Sequence, residues 1–262
     1  MIKPVKIIFL FGLICSSTLY SAIQTSISVS PLFQEIKISP GKGEKGSIYV
    51  TNFGPYDIKV EVLIENWTLE EDGSLRFIAS ENPSYSCKAW CSYKNTDLFI
   101  PTGKTKVFEY LISVPNNTQP GHYWTSFSFG TLPKQAENKD LDQIHLKNKI
   151  LTGVFVKVGK EEFSGRINDI SFLRQNKSDE IEFICENLGR FYWRTYGFIE
   201  LTDKNGKKID TFDLPEELIL PGKIRTSRIT LKKKLNEGQY MVKGILKLPE
   251  SKIEFEKIFD VK

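Results

Sequence analysis

Apolar residues recur at every second position through most of this chain, and that period limits its fold more than any other feature. The stretch "IKVEVLIENW" puts Ile58, Val60, Val62 and Ile64 on one face, with Lys59, Glu61 and Glu65 mostly on the other. "KTKVFEYLISVP" does the same with Phe108, Tyr110, Ile112 and Val114, and "HYWTSFSF" with Tyr123, Thr125, Phe127 and Phe129. Side chains alternate across a strand, so this pattern is that of half-buried strands in antiparallel sheets. No window beyond the first 22 residues carries a long apolar repeat of helical period. Turn signals punctuate the strands: "SPGKGEKG", "NFGPYD", "EEDG", "PTGK", "PNNTQPG", "DKNG", "LPGK" and "NEG". Many short strands between frequent turns predict an all-β sandwich or barrel, not a βα fold.

Residues 1–22 stand apart. Lys3 and Lys6 precede the apolar run "IIFLFGLICSSTLY", and small residues follow at Ser21 and Ala22. A positive start, a short apolar middle and a small-residue exit define a secretory signal peptide. The run is too short and too broken by serines to read as a membrane span. Ile14 stands directly before Cys15 where a lipid-attachment site needs a small residue. The expectation is an exported protein, periplasmic or at the cell surface, with no membrane span once the signal is removed.

Without Lys3 and Lys6 the formal charge falls from +4 to about +2, with both signs interspersed. That balance offers no basic surface for nucleic acid. Three cysteines follow the signal, Cys87, Cys91 and Cys185. In an oxidising compartment Cys87 and Cys91, separated by "KAW", are the natural disulfide pair; two free thiols in a loop is the other reading. Cys185 sits in an apolar strand and reads as a small buried residue.

The chain divides into two β units of about 100 residues each, the size of an immunoglobulin-like sandwich. The first spans residues 23–160 and the second 161–262. The polar stretch "PKQAENKDLDQIHLKN" reads as a long loop before the first unit's last strand, "KILTGVFVKV". "GKEEFSGR" is a short charged connector. Both units carry a glycine turn opening into an aromatic strand, "QPGHYWTSFSF" and "NEGQYMVKGIL".

Catalytic signatures are missing from the sequence. There is no G-x-S-x-G, H-E-x-x-H, phosphate loop or dinucleotide fingerprint. Asp72, Asp203 and Asp213 sit in or beside turns, where short acids serve the backbone. The two histidines, His122 and His145, have no nucleophile or carboxylate at a recognisable spacing, and there is no C-x-x-C pair. No enzyme, metal site or cofactor is expected.

One stretch invites a ligand reading. "CENLGRFYWRTYGFIELTDKNGKKI" crowds Phe191, Tyr192, Trp193, Arg194 and Tyr196 together. Read as one strand, "FYWRTYGFIELTD" puts Phe191, Trp193, Ile199 and Leu201 on a core face. Tyr192, Arg194 and Tyr196 fall on the outer face, and such residues anchor interfaces.

The second unit resembles the C-terminal domain of divergent periplasmic pilus-assembly (PapD-like) chaperones. The carriers are the N-x-G of Asn187 and Gly189, then "IELTDKNGKKI", "LILPGKIRTSRITL" and "LNEGQYMVKGIL", in that order. The first unit resembles the N-terminal domain of the same superfamily, from "ISVSPLFQEIKISPGKGEKGSIYVTNFG" to "FIPTGKTKVFEYLISVPNNTQPGHYWTSFSF". The resemblance implies two immunoglobulin-like β-sandwich domains in tandem with a cleft between them, and a non-catalytic role on surface-structure subunits. It implies that the last strand of the first domain lends apolar side chains to a subunit by strand addition. Here that row is Ile150, Val154, Val156 and Val158, with Lys149 or Lys157 matching the family's anchoring lysine. The family's anchoring arginine has no match: Pro31 of "SVSPLF" stands in its place. The expected partner is an exported subunit of a pilus-like or other surface assembly.

A second reading is an adhesive surface protein that binds glycan or a neighbouring subunit. It rests on "NPSYSCKAWCSYKN", where Tyr85, Lys88, Trp90 and Tyr93 surround the cysteine pair. Its bland counterpart is that Trp90 plugs the bottom of its own sandwich.

Overall fold

The computed structural model describes residues 27–79, 83–131, 149–176 and 178–262. The expected signal peptide, residues 1–22, and the stretch "PKQAENKDLDQIHLKN" expected to be a long loop, His145 included, lie outside the described residues. The first unit contains β1 (Ile27–Ser30), β2 (Phe33–Lys37), β3 (Gly43–Asn52), β4 (Ile58–Leu69) and β5 (Leu75–Ile78). It continues with β6 (Cys91–Tyr93), β7 (Asp97–Ile100), β8 (Thr105–Ser113), β9 (Gly121–Thr131) and β10 (Lys149–Val158). The second unit contains β11 (Gly165–Arg174), β12 (Asp179–Asn187), β13 (Trp193–Arg194), β14 (Gly197–Asp203) and β15 (Lys208–Asp213). It closes with β16 (Leu218–Ile219), β17 (Ile224–Thr230), β18 (Gly238–Lys247) and β19 (Lys252–Val261).

The fold is all-β, as the period-two pattern predicts, and consists of two immunoglobulin-like sandwiches in tandem, as the resemblance implies. In the first sandwich one sheet runs β1-β3-β8-β6, and the other runs β2-β10-β9-β4-β5 with β7 also on β4. The alternating rows meet between them: Val50, Phe108, Tyr110 and Ile112 from one sheet against Val60, Val62, Phe127 and Phe129 from the other. In the second sandwich β11-β12-β17 and the short pair β13-β16 oppose β15-β14-β18-β19. Its core gathers Ile181, Phe183, Trp193, Ile199, Leu201 and Val242.

The chain's first strand changes sheets. β1 pairs antiparallel with β3, and after Pro31 and Leu32 β2 pairs in parallel with β10. Pro31, where the resemblance looks for an arginine, thus sits at the crossover.

Each sandwich is pinned by a buried asparagine at the end of a strand. Asn187 donates through Nδ2 to the carbonyls of Phe191 and Ile219, at 2.9 and 3.0 Å, and its Oδ1 accepts from the Gly189 amide at 2.9 Å. Asn52 does the same at the end of β3. Its Nδ2 donates to Tyr56 and Ile100 at 2.7 and 3.0 Å, and its Oδ1 accepts from Gly54 at 2.9 Å. Both side chains are fully buried with three partners, which is how buried amides are tolerated. Asn187-Leu188-Gly189 and Asn52-Phe53-Gly54 thus share one N-x-G motif, the second within the turn signal "NFGPYD".

The strand read as "FYWRTYGFIELTD" is two strands. β13 ends at Arg194 and pairs with β16, whereas β14 begins at Gly197 and pairs with β15 and β18. A side chain at Gly197 would lie 1.9 Å from the Ile245 carbonyl oxygen, so the crossing needs glycine. Parity survives the break: Phe191, Trp193, Thr195, Ile199 and Leu201 are all buried.

Candidate functional site at the open end of strand β10

β10 divides its residues between two faces and two edges. Ile150, Thr152, Val154, Val156 and Val158 point into the first sandwich; Lys149, Leu151, Gly153, Phe155 and Lys157 lie on the outer face. Val154, Val156 and Val158 are fully buried, and Ile150 packs against the same core. In this structure the row expected to be lent to a partner packs into its own sandwich. Alternation looks the same whether a row is donated or kept, so the sequence could not separate the two.

The edge is more informative. β9 covers one side of β10 along its whole length, from Lys149 opposite Gly130 to Val158 opposite Gly121. On the other side β2 runs only from Gly153 to Lys157. The Gly153 amide donates to the Leu32 carbonyl at 2.9 Å, so the odd-numbered backbone groups face β2. By the same alternation the N–H and C=O of Lys149 and Leu151 face outward at a stretch of edge that β2 does not reach.

The surface beside this edge is apolar with one ion pair. The cross-strand row Leu63–Ser128–Leu151 lies next to the row Glu65–Ser126–Gly153–Phe33. Phe33 is 43% exposed, Leu63 41% and Phe77 43%. Lys149 spans Glu65 at 2.5 Å and the Phe77 ring at 4.8 Å. The lysine is thus already paired, although about a third of its side chain stays in solvent.

Lower on the same face the second sandwich is docked. Trp67, Trp124 and Phe155 form a buried cluster with Leu220, flanked by Tyr85, Tyr192 and Leu218. Trp124 donates through Nε1 to the Trp67 carbonyl at 2.9 Å and stacks on Tyr85 at 4.0 Å. Around the cluster runs a polar network. Lys157 pairs with Glu35 at 2.7 Å and Glu161 at 3.2 Å, and the Tyr192 hydroxyl donates to Glu35. Lys157, the alternative match for the anchoring lysine, is therefore held between two carboxylates. Burial raises the Glu35 pKa, but the Lys157 and Tyr192 hydrogen bonds and the Lys157 charge outweigh it and hold the carboxyl below its ordinary value.

The remaining expected contacts separate. Tyr192 is not an outward anchor: its ring stacks on His122 at 4.2 Å and meets Phe155 edge-on at 5.2 Å, inside the joint. Arg194 stays half in solvent, 3.7 Å from Glu216. Tyr196 is 62% exposed under the Lys247 ammonium. The three do not form one row because the chain turns between β13 and β14.

Cys87 and Cys91 are free thiols, so the structure holds the second of the two readings of that pair. The Cys91 thiol donates to the Cys87 carbonyl at 3.4 Å across the 3-10 turn Lys88–Trp90. The rings around them turn inward. Trp90 packs on Tyr123 at 4.6 Å, Tyr93 on Phe108 and Phe127 at 5.5 Å each, and Tyr85 on Trp124. A sugar-binding cradle there loses its aromatic faces. Among the described residues no group of three or more His, Cys, Asp or Glu side chains is placed to hold a metal ion. No helix among them is long and apolar enough to cross a membrane.

These features define the class of the molecule: tandem immunoglobulin-like sandwiches with a buried joint and, among the described residues, an end of β10 that β2 does not cover. No family model matches the chain. No curated protein matches it either. Solved structures similar to it include a chaperone–tip adhesin complex of CFA/I fimbriae, at 12% identity and a TM-score of 0.48, covering 90% of this chain and 98% of that one. The class 5 fimbriae chaperone CfaA is similar at 10% identity, with 90% and 98% covered and a TM-score of 0.47. The CsuC–CsuE chaperone–tip subunit complex of Acinetobacter baumannii is similar at 13% identity, with 88% and 98% covered and a TM-score of 0.45. At such identities and TM-scores the likeness carries no argument, and the reading of function rests on the edge itself.

Proposed function

We propose that this is an exported, non-catalytic binding protein of the chaperone type that takes an extended segment of an exported subunit along the open end of β10. The observation that carries the reading is that edge. The outward backbone groups of Lys149 and Leu151 lie beside exposed Phe33, Leu63 and Phe77. Backbone groups supply the affinity of strand addition, and alternate pockets supply its selectivity. The partner would add its own apolar side chains to the outer face, because the inward row is occupied by the first sandwich. The periplasm is the proposed location and a subunit of a surface assembly the proposed partner. We take the boundary between the two domains to fall between residues 160 and 161, in the connector after β10.

Proline tests the edge without disturbing the ladder. At position 151 it removes one outward N–H and no bond to β9; proline is tolerated on such edges. We expect Leu151→Pro to keep the fold and to lose at least tenfold in retention of co-purifying exported protein, with Leu151→Ala closer to wild type. Equal retention by the proline variant would rule out strand addition at this edge.

A further inference from the structure

We propose that His122 makes the joint between the sandwiches a proton-operated one, closed near neutral pH and loosened in acid without unfolding either sandwich. This goes beyond the partner-binding reading and does not depend on it.

His122 lies on β9, and its side chain is 1% exposed. It is bonded to the second sandwich through backbone and ring alike. Its amide donates to the Arg190 carbonyl at 2.8 Å, and its Nδ1 accepts the Tyr192 amide at 2.9 Å. The ring stacks on Tyr192 and meets Phe191 at 5.1 Å. Because Nδ1 accepts, the ring proton of the neutral form sits on Nε2. That atom is buried, has no hydrogen-bond partner, and lies 3.9 Å from a Glu35 oxygen.

A second proton must go on Nδ1. It would then face the Tyr192 N–H, donor against donor, and the hydrogen bond between the sandwiches would be lost. The charged groups that act on the ring are Glu35 on β2 and Lys157 on β10, with Tyr192 stacked on it; Glu161 in the connector pairs with Lys157, and the Arg190 side chain bonds to Pro120 and Tyr123. Burial pushes the His122 pKa down from 6.5 to about 4, with Glu35 pulling up and Lys157 down. Glu35 is held below its ordinary range and so stays ionised through most of this window. The Lys157 pKa is raised despite burial, by Glu35 and Glu161, so its charge is constant.

The sign follows from which form binds the proton more tightly. With the joint open, His122 is hydrated and titrates near its ordinary 6.5; with the joint closed it titrates near 4. The closed form therefore has its full advantage above pH 6.5 and loses it as pH falls toward 4. The gap corresponds to at most about a 300-fold change in the closed-to-open ratio. The Tyr192–Glu35 hydrogen bond also crosses the joint and is kept while Glu35 stays ionised; the contacts to backbone acceptors do not titrate. Arg190 donates to the Pro120 carbonyl at 2.7 Å, and the Thr226 amide donates to the Glu71 carbonyl at 2.8 Å. The loosening is therefore of the joint and not of the cores.

Small-angle X-ray scattering of the full chain from about pH 8 to about pH 4, with circular dichroism to follow folding, reads the joint directly. The wild type should gain in radius of gyration below pH 6.5 while its circular dichroism is unchanged. His122→Asn keeps an oxygen in place of Nδ1 for the Tyr192 amide and does not titrate, so it should stay compact throughout. Glu35→Gln removes the carboxylate that favours the imidazolium and should move the transition to lower pH. It also keeps the test decisive if the asparagine variant does not fold. A wild type of constant dimension overturns the proposal. So does an asparagine variant that opens at the same pH, or a glutamine variant whose transition is unmoved or raised.

Discussion

Trp124→Ala is expected to destabilise the first sandwich by about 3–5 kcal/mol, the range for emptying a buried tryptophan site. Trp124 is fully buried. Its removal takes away the stack on Tyr85, the contact with Phe155 at 6.3 Å and a hydrogen bond to the Trp67 carbonyl. The position also lies under Leu220 of the second sandwich, so the same change thins the joint. Trp124→Phe keeps most of the ring area and loses the Nε1 bond, so its cost should be about 1–3 kcal/mol. Urea unfolding followed by circular dichroism measures both. A loss under about 1 kcal/mol for the alanine variant would show that Trp124 does not fill the site described.

Asn187→Ala is expected to cost the second sandwich about 3–5 kcal/mol, because it strands three buried backbone groups at about 1–3 kcal/mol apiece before relaxation. Those groups are the carbonyls of Phe191 and Ile219 and the amide of Gly189. Asn52→Ala should cost the first sandwich a similar amount through Tyr56, Ile100 and Gly54. The neighbour Leu188 is 50% exposed, and Leu188→Ala should change stability by less than about 0.5 kcal/mol. If the two asparagine variants unfold at wild-type denaturant concentrations, these side chains are not the pins that the geometry makes them.

Much of the fold was legible because period two reports one buried face. Val60, Val62, Phe108, Ile112, Phe127 and Phe129 all fall where alternation puts them. β9 shows the limit of that signal. Its second face, with His122, Trp124, Ser126 and Ser128, is buried too, and nothing local in "HYWTSFSF" says so. Those residues are covered by contacts distant in sequence: Tyr85 on Trp124, Tyr192 on His122, and Leu220 beside the tryptophans. The joint could not be read for the same reason. Tyr192 falls on the outer parity of its own strand and is inside only because the first sandwich stands there. The break at Gly197 was hidden because the residues on either side keep a common parity. In the candidate site, alternation marks the row Ile150, Val154, Val156 and Val158 without saying what covers it, and the backbone edge at Lys149 and Leu151 leaves no mark in the sequence.

If this short edge receives a partner's strand, amide hydrogen exchange shows it residue by residue. The comparison is the free protein against its complex with whichever exported subunit co-purifies. The Leu151 amide faces the open side and the Thr152 amide faces β9. In the free protein Leu151 should exchange fast and Thr152 slowly; in the complex Leu151 should slow at least tenfold while Thr152 barely changes. Unchanged exchange at Leu151 in a complex that protects other surfaces would show that no strand is added at this edge.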